Sequence, residues 1–134
     1  AISQVCDLHV TTAVTCPTVR VHPAIVAQAA GTCAELLDGR FTLGVGTGEA
    51  LNESILGGPW PTLDVRLEML EEALHIIREL WTGEVVSREG RHYTVDTARI
   101  YTLPDQPPPI YMSAFGPKAL DVACRIADGF ISPV

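Results

Sequence analysis

No stretch of this 134-residue sequence approaches the roughly 18 consecutive apolar residues of a membrane-spanning helix. Its first residues also lack the basic, apolar and small succession of a secretion signal. A soluble, cytoplasmic protein without a membrane partner is the expectation. Positive charge is scarce: nine Lys and Arg stand against 16 Asp and Glu, a net of -7, and no Lys/Arg block exists to neutralise a phosphate backbone. Nucleic acid is not an expected partner. Cysteine pairing is lacking too, since Cys6, Cys16, Cys33 and Cys124 stand 10, 17 and 91 residues apart, with no C-x-x-C pair and no histidines at ligand spacing. No metal site is legible, and the thiols read as reduced and mostly buried. His9, His22, His75 and His92 are equally scattered and read as structural.

What the sequence does have is apolar content, 47% against 19% charged residues, enough for one domain over 1–134 to bury a sizeable core. Its pattern alternates. Leu8 to Thr15 is rich in Val and Thr and reads as a strand. Ala24 to Leu37 places Ile25, Ala29, Ala30, Cys33, Leu36 and Leu37 on a helical stripe closed by Asp38-Gly39. Arg40 to Val45 is the next strand, and Leu63, Leu67, Leu70, Leu74, Ile77 and Trp81 then recur at steps of four and three, which predicts a long amphipathic helix ending at Gly83. Two short strand-like pieces around Val85-Val86 and His92 to Val95, with Glu89-Gly90 between them, form a hairpin excursion. Ile110 to Ser113 is a strand, Lys118 to Ala127 a helix, and Phe130 to Ser132 a further strand. This βα alternation implies an α/β fold with four parallel strands. With a helical start over Ala1 to Cys6 and bare strand edges on both sides, the chain reads as a piece of a larger protein that self-associates, as a homodimer or higher. Trp60 and Trp81 read as packing residues, Glu71, Glu72 and Glu79 as a solvated helix face, and Arg88, Arg91 and Arg99 as surface partners.

The chemistry concentrates in GVGTGEALNE, Gly44 to Glu53, directly after a strand. A dinucleotide fingerprint needs G-x-G-x-x-G, and a phosphate loop needs a lysine after its second glycine; this stretch has neither. Loops at the carboxyl ends of parallel strands converge on the ligand. Two other strand ends carry small or polar groups, Ala13-Val14-Thr15-Cys16-Pro17 and Ser113-Ala114-Phe115-Gly116. One flat pocket lined by all three is one reading. The plainer one is that the glycines merely bend a strand while Glu49 and Asn52 face water or cap a turn.

VTCPTVRVHPAIVAQAAGTCAELLDGRFTLGVGTGEALNE, RLEMLEEALHIIRELWTGE and IYMSAFGPKALDVACRIADGFI resemble the deazaflavin-dependent branch of the luciferase-like oxidoreductases, near the F420-dependent glucose-6-phosphate dehydrogenases. The resemblance runs from about Leu8 to Ile131. It implies a partial (β/α)8 TIM barrel, about strands 3 to 6, with coenzyme F420 across the carboxyl-end face and a small-molecule alcohol or hemiacetal as hydride partner. It also implies a cis peptide at Ala13-Val14 against the deazaflavin ring. Glu49 matches a carboxylate discussed as a proton donor, and Asn52 a cofactor-contacting amide; burial of such an acid would favour its protonated form. Ser113, Ala114, Phe115 and Gly116 match the segment whose amides meet the cofactor's phosphate-bearing tail, and Cys16 stands where threonine is common. The family's histidine, tryptophan and aspartate would precede this chain and its sugar-phosphate cations would follow it, so the isolated chain is expected to be inactive. An FMN-dependent monooxygenase of the same scaffold and a non-catalytic half-barrel module are the alternatives.

Overall fold

All five residues of Phe41–Val45 (β2) are buried, because β2 has neighbours on both edges and cover on both faces. In the computed structural model, which describes residues 2–132, Val10–Thr11 (β1), β2, Ile110–Ser113 (β5) and Gly129–Ile131 (β6) form one sheet in the order β1-β2-β5-β6. Every pairing in it is parallel. Parallel neighbours need long crossovers, and three helices supply their bulk: Pro23–Leu36 (α1), Leu63–Leu80 (α3) and Pro117–Ile126 (α4). Val86–Glu89 (β3) and Thr94–Ala98 (β4) make the expected antiparallel hairpin between α3 and β5.

The first strand is much shorter than Leu8 to Thr15. Only Val10 and Thr11 pair regularly with β2, and contact resumes at an isolated bridge between Thr15 and Val45. Between them the chain lifts over Gly44: the Thr12 hydroxyl donates to the Gly44 carbonyl and accepts from the Gly44 N–H, both at 2.9 Å. A side chain at position 44 would meet the Thr12 carbonyl, so a residue without Cβ is required there. Regular extended pairing cannot continue through that crossing.

Of the stripe expected on α1, Ala30 and Leu37 are buried, but the buried face is otherwise rotated. Ile25, Ala29, Cys33 and Leu36 are exposed, whereas Val26, Ala27, Ala30, Gly31 and Ala34 are buried. Small residues face α3 because they let the two helices approach closely, and the Trp81 indole N–H donates to Ala27 O at 2.9 Å across that seam. Burial of bulk is thus left to α3, where Leu67, Leu70, Ala73, Leu74, Ile76, Ile77 and Leu80 form the core stripe. Thr62 caps its start; Trp81 is its C-cap, and Gly83, at φ 78°, turns the chain away two residues further on. The cysteines differ from expectation as well: Cys33 and Cys124 are exposed, Cys6 and Cys16 half-buried. Both exposed thiols lie on helix faces turned away from the sheet.

The acidic face of α3 is covered rather than solvated. Glu72 accepts hydrogen bonds from the backbone N–H groups of His92 and Tyr93 at 3.0–3.2 Å, Glu79 pairs with Arg88 at 2.5 Å, and Glu71 pairs with Arg125 of α4 at 2.9 Å. Amide donors of the hairpin turn have no ladder partner, and the carboxylate supplies one. Arg91 meets Glu68 at 2.7 Å and Arg99 lies over Tyr101, so the hairpin arginines serve as surface partners.

Candidate functional site

Three parallel strands release their loops at the same end of the sheet. The loop after β1 contains a cis peptide at Ala13-Val14, which the resemblance implies. Val14 approaches Gly46, where a Cβ would lie 2.8 Å from Val14 Cγ2. The second loop, Gly46 to Glu49, runs into a single helical turn, Ala50–Glu53 (α2), followed by a 3-10 turn over Ser54–Leu56. Gly48, at φ 79°, reverses the chain there. The third loop leaves β5 at Ser113 and enters α4 with Gly116 as its N-cap and Pro117 at its first position.

These loops enclose a cavity of about 750 Å³. Ala13, Val14, Cys16, Glu49, Asn52, Ser113 and Phe115 all line it, so seven of the nine candidate positions come together. Ala114 does not: its side chain is 4% exposed and packs into the core. Strand alternation turns it to the opposite face from Ser113. Gly116 also lies outside the lining, spent on the start of α4. Phe115 is at the cavity but 79% exposed.

Glu49 is the N-cap residue of α2, yet its side chain makes no capping hydrogen bond; its backbone carbonyl accepts from the N–H groups of Asn52 and Glu53 at 3.1 and 2.9 Å. Its carboxylate therefore remains available to the cavity. Glu49 and Asn52 are both exposed, so the burial expected of the acid is not provided by this chain's own residues. The buried carboxylate is instead Glu53, 3% exposed. One of its oxygens is 3.5 Å from Arg20 Nη2, and the other, Oε2, is buried without a hydrogen-bond partner among the described residues. Arg20 also donates to the Asn52 carbonyl at 3.4 Å. Burial, then the nearby Glu53 charge, pushes the Cys16 thiol upward, with Glu49 adding to the effect and Arg20 and the Gly48 N–H opposing it. Cys16 is thus held as a neutral thiol in the cavity wall.

Sequence reasoning missed Arg20, Val21 and Glu53 as lining residues, whereas Thr15 lines the cavity with Ala13, Val14 and Cys16 of its strand end. Arg20 reads as part of a turn, and nothing local marks it. Glu53 did carry a signal, being one helical turn beyond Glu49 in the same short stretch.

Comparison with known proteins agrees with this architecture. The family model for luciferase-like monooxygenases matches residues 6–133, and the chain belongs to that family. It is 51% identical over 121 residues to the F420-dependent glucose-6-phosphate dehydrogenase of Nakamurella multipartita and 50% identical to that of Microbacterium testaceum. In each case 90% of this chain is covered but only 36% of the relative, so the chain spans about a third of their length. Among solved structures, an F420-dependent secondary alcohol dehydrogenase in complex with an F420-acetone adduct superimposes with a TM-score of 0.88 at 40% identity. It covers 91% of this chain and 37% of that one. The EDTA monooxygenase of Chelativorans sp. BNC1 shares the fold, with a TM-score of 0.83 at 17% identity over 96% of this chain and 35% of its own. The parallel α/β arrangement is therefore that of these enzymes.

Proposed function

We propose that these residues form part of the cofactor face of an F420-dependent oxidoreductase, corresponding to about strands 3 to 6 of a (β/α)8 barrel. The observation that carries this reading is the convergence of Glu49, Asn52 and the Ala13-Val14 cis segment on one cavity. Its volume lies within the roughly 300–1,000 Å³ of small-molecule sites. A fused planar ring needs an apolar support and a polar rim. Val14 and Phe115 supply the first, and Glu49, Asn52 and Ser113 the second, so the residues present fit a deazaflavin.

When bound, F420 supplies the ring carbon that gives or accepts a hydride. Glu49, in the cavity lining, would present its carboxyl group to the polar edge of the ring and could pass a proton to it. Asn52, on the same turn, orients that edge through its amide. Val14 limits approach from one side, and Ser113 offers a hydroxyl at the third loop. The hydride partner is a small alcohol or hemiacetal. The 134 residues alone turn over no such substrate, because the substrate-gripping cations and the general base belong to other strands of the barrel.

Fluorescence titration tests this. Quenching of F420 by the chain, with no equivalent response from FMN, is the expected result; Asn52→Leu weakens it about five- to tenfold, the loss of one hydrogen bond. Glu49→Gln retains binding, while introducing the same change into a full-length relative lowers turnover about 10²–10⁴-fold. Binding of FMN in preference to F420 would favour a monooxygenase of the same scaffold. Binding of neither would leave an assembly module.

A further inference from the structure

α2 is one turn long, and a helix of that length has almost no stability of its own. Something must hold it in place, because it carries Glu49 at its cap and Asn52 within it. Apolar packing does not. Leu51 is 87% exposed, and Ile55 and Leu56, on the following turn, are 70% and 62% exposed. Over Ala50–Leu56 the single buried residue is a carboxylate, Glu53.

Its surroundings are built to receive it. Gly48 gives up its side chain at the point of contact: a Cβ there would lie 2.8 Å from Glu53 Cγ. From the loop after β1, Arg20 reaches both the Glu53 carboxylate and the Asn52 carbonyl. Burying a carboxylate oxygen costs free energy unless it is paired; Oε1 has Arg20, and Oε2 finds no hydrogen-bond partner among the described residues.

We propose that Glu53 is a positioning residue: with Arg20 it pins the α2 turn to the post-β1 loop and thereby sets where Glu49 and Asn52 stand in the cavity. The pair ties two of the three loops together beyond the point where Val14 meets Gly46 and the Gly46 N–H donates to the Thr15 carbonyl, so the far side of the second loop, where Glu49 and Asn52 stand, is held by an ion pair. Neither residue needs to touch the guest. This inference rests on the proposed function for its consequence in cofactor binding, although the pinning itself is independent of any ligand.

Glu53→Gln and Arg20→Met test it by two readouts. In hydrogen exchange, the amides of Asn52 and Glu53 exchange about tenfold faster in either variant, while the α3 amides around Leu74 keep wild-type protection, so that local release is separated from global unfolding. In F420 titration, each variant weakens binding about tenfold, and the double variant is no weaker than the worse single one, as required of residues acting as a unit. Glu53→Asp, one methylene shorter, restores charge but not reach and recovers only part of the loss. Unchanged exchange over 50–56 in Glu53→Gln would overturn the pinning. Additive effects in the double variant would overturn the pairing with Arg20. If the wild-type chain does not bind F420, the proposed function fails while the exchange measurement still decides the pinning.

Discussion

Replacing Gly44 by alanine probes the crossing on which the whole site is built. The added Cβ would lie 1.8 Å from the Thr12 carbonyl oxygen, against about 3.3 Å for an ordinary carbon-oxygen contact. The obstacle is backbone, so rotamer change gives no relief and the post-β1 segment must rise by about 1.5 Å. Three hydrogen bonds join that segment to Gly44: two through the Thr12 hydroxyl at 2.9 Å and one from the Thr15 N–H to the Gly44 carbonyl at 2.7 Å. At about 0.5–1.5 kcal/mol each, their loss costs about 2–4 kcal/mol. Alanine returns about 0.5–1 kcal/mol through the unfolded chain, leaving a net destabilisation of about 1–3 kcal/mol. With a urea slope of about 2 kcal/mol/M, the unfolding midpoint followed by tryptophan fluorescence falls by about 1 M. Gly58→Ala is the control, since nothing lies within 4 Å of its Cβ position; it moves the midpoint by no more than about 0.2 M. A Gly44→Ala midpoint as close to wild type as that control would show that Thr12 does not lie over Gly44, and the site geometry built on that crossing would go with it.

Alkaline pH offers a second check. Burial raises the Cys16 thiol and, with the Glu72 charge as a lesser cause, the Tyr93 phenol, whose hydroxyl donates to the Pro17 carbonyl at 3.3 Å. Both groups favour folding in their neutral forms, so that contribution is complete below their unfolded values of 9.0 and 10.0 and is lost as pH rises above them. Stability measured in urea stays level toward pH 9 and then falls; a rise above pH 10 would contradict the assignment. Because the Glu53 charge contributes to the Cys16 shift, Glu53→Gln speeds alkylation of Cys16, read by peptide mapping at fixed pH. In the core, Leu74→Ala, at a side chain 1% exposed, costs about 2–5 kcal/mol. Leu51→Ala, at 87% exposure, costs less than about 0.5 kcal/mol, and equal losses at the two positions would refute the packing.

The elements that periodicity marks most strongly are those that packing leaves simple. α3 carries its apolar residues at helical spacing up to Gly83, and the structure ends it at Leu80, just before that signal. The hairpin and the strand order likewise follow from alternation and from turn residues. α1 misled because exposed Ile25 and Leu36 are more hydrophobic than the alanines that face α3. Close helix approach selects for small size, which hydrophobicity ranking does not register. Within the site, Glu49 and Asn52 stood out because a carboxylate and an amide directly after a glycine-rich strand end are easily seen. Glu53 and Arg20, 33 positions apart, become partners only when two strands lie side by side.

By itself the sequence determined the order and type of the elements, the parallel α/β class and the loop where chemistry concentrates, since these follow from local spacing and from the conformational limits of glycine and proline. Tertiary structure alone decided which face of α1 is buried, that the chain crosses over Gly44, and that the deeply buried acid of the loop is Glu53 while Glu49 stays open to the cavity. Such outcomes depend on which distant segments arrive within hydrogen-bond reach of one another, and no local pattern encodes that distance.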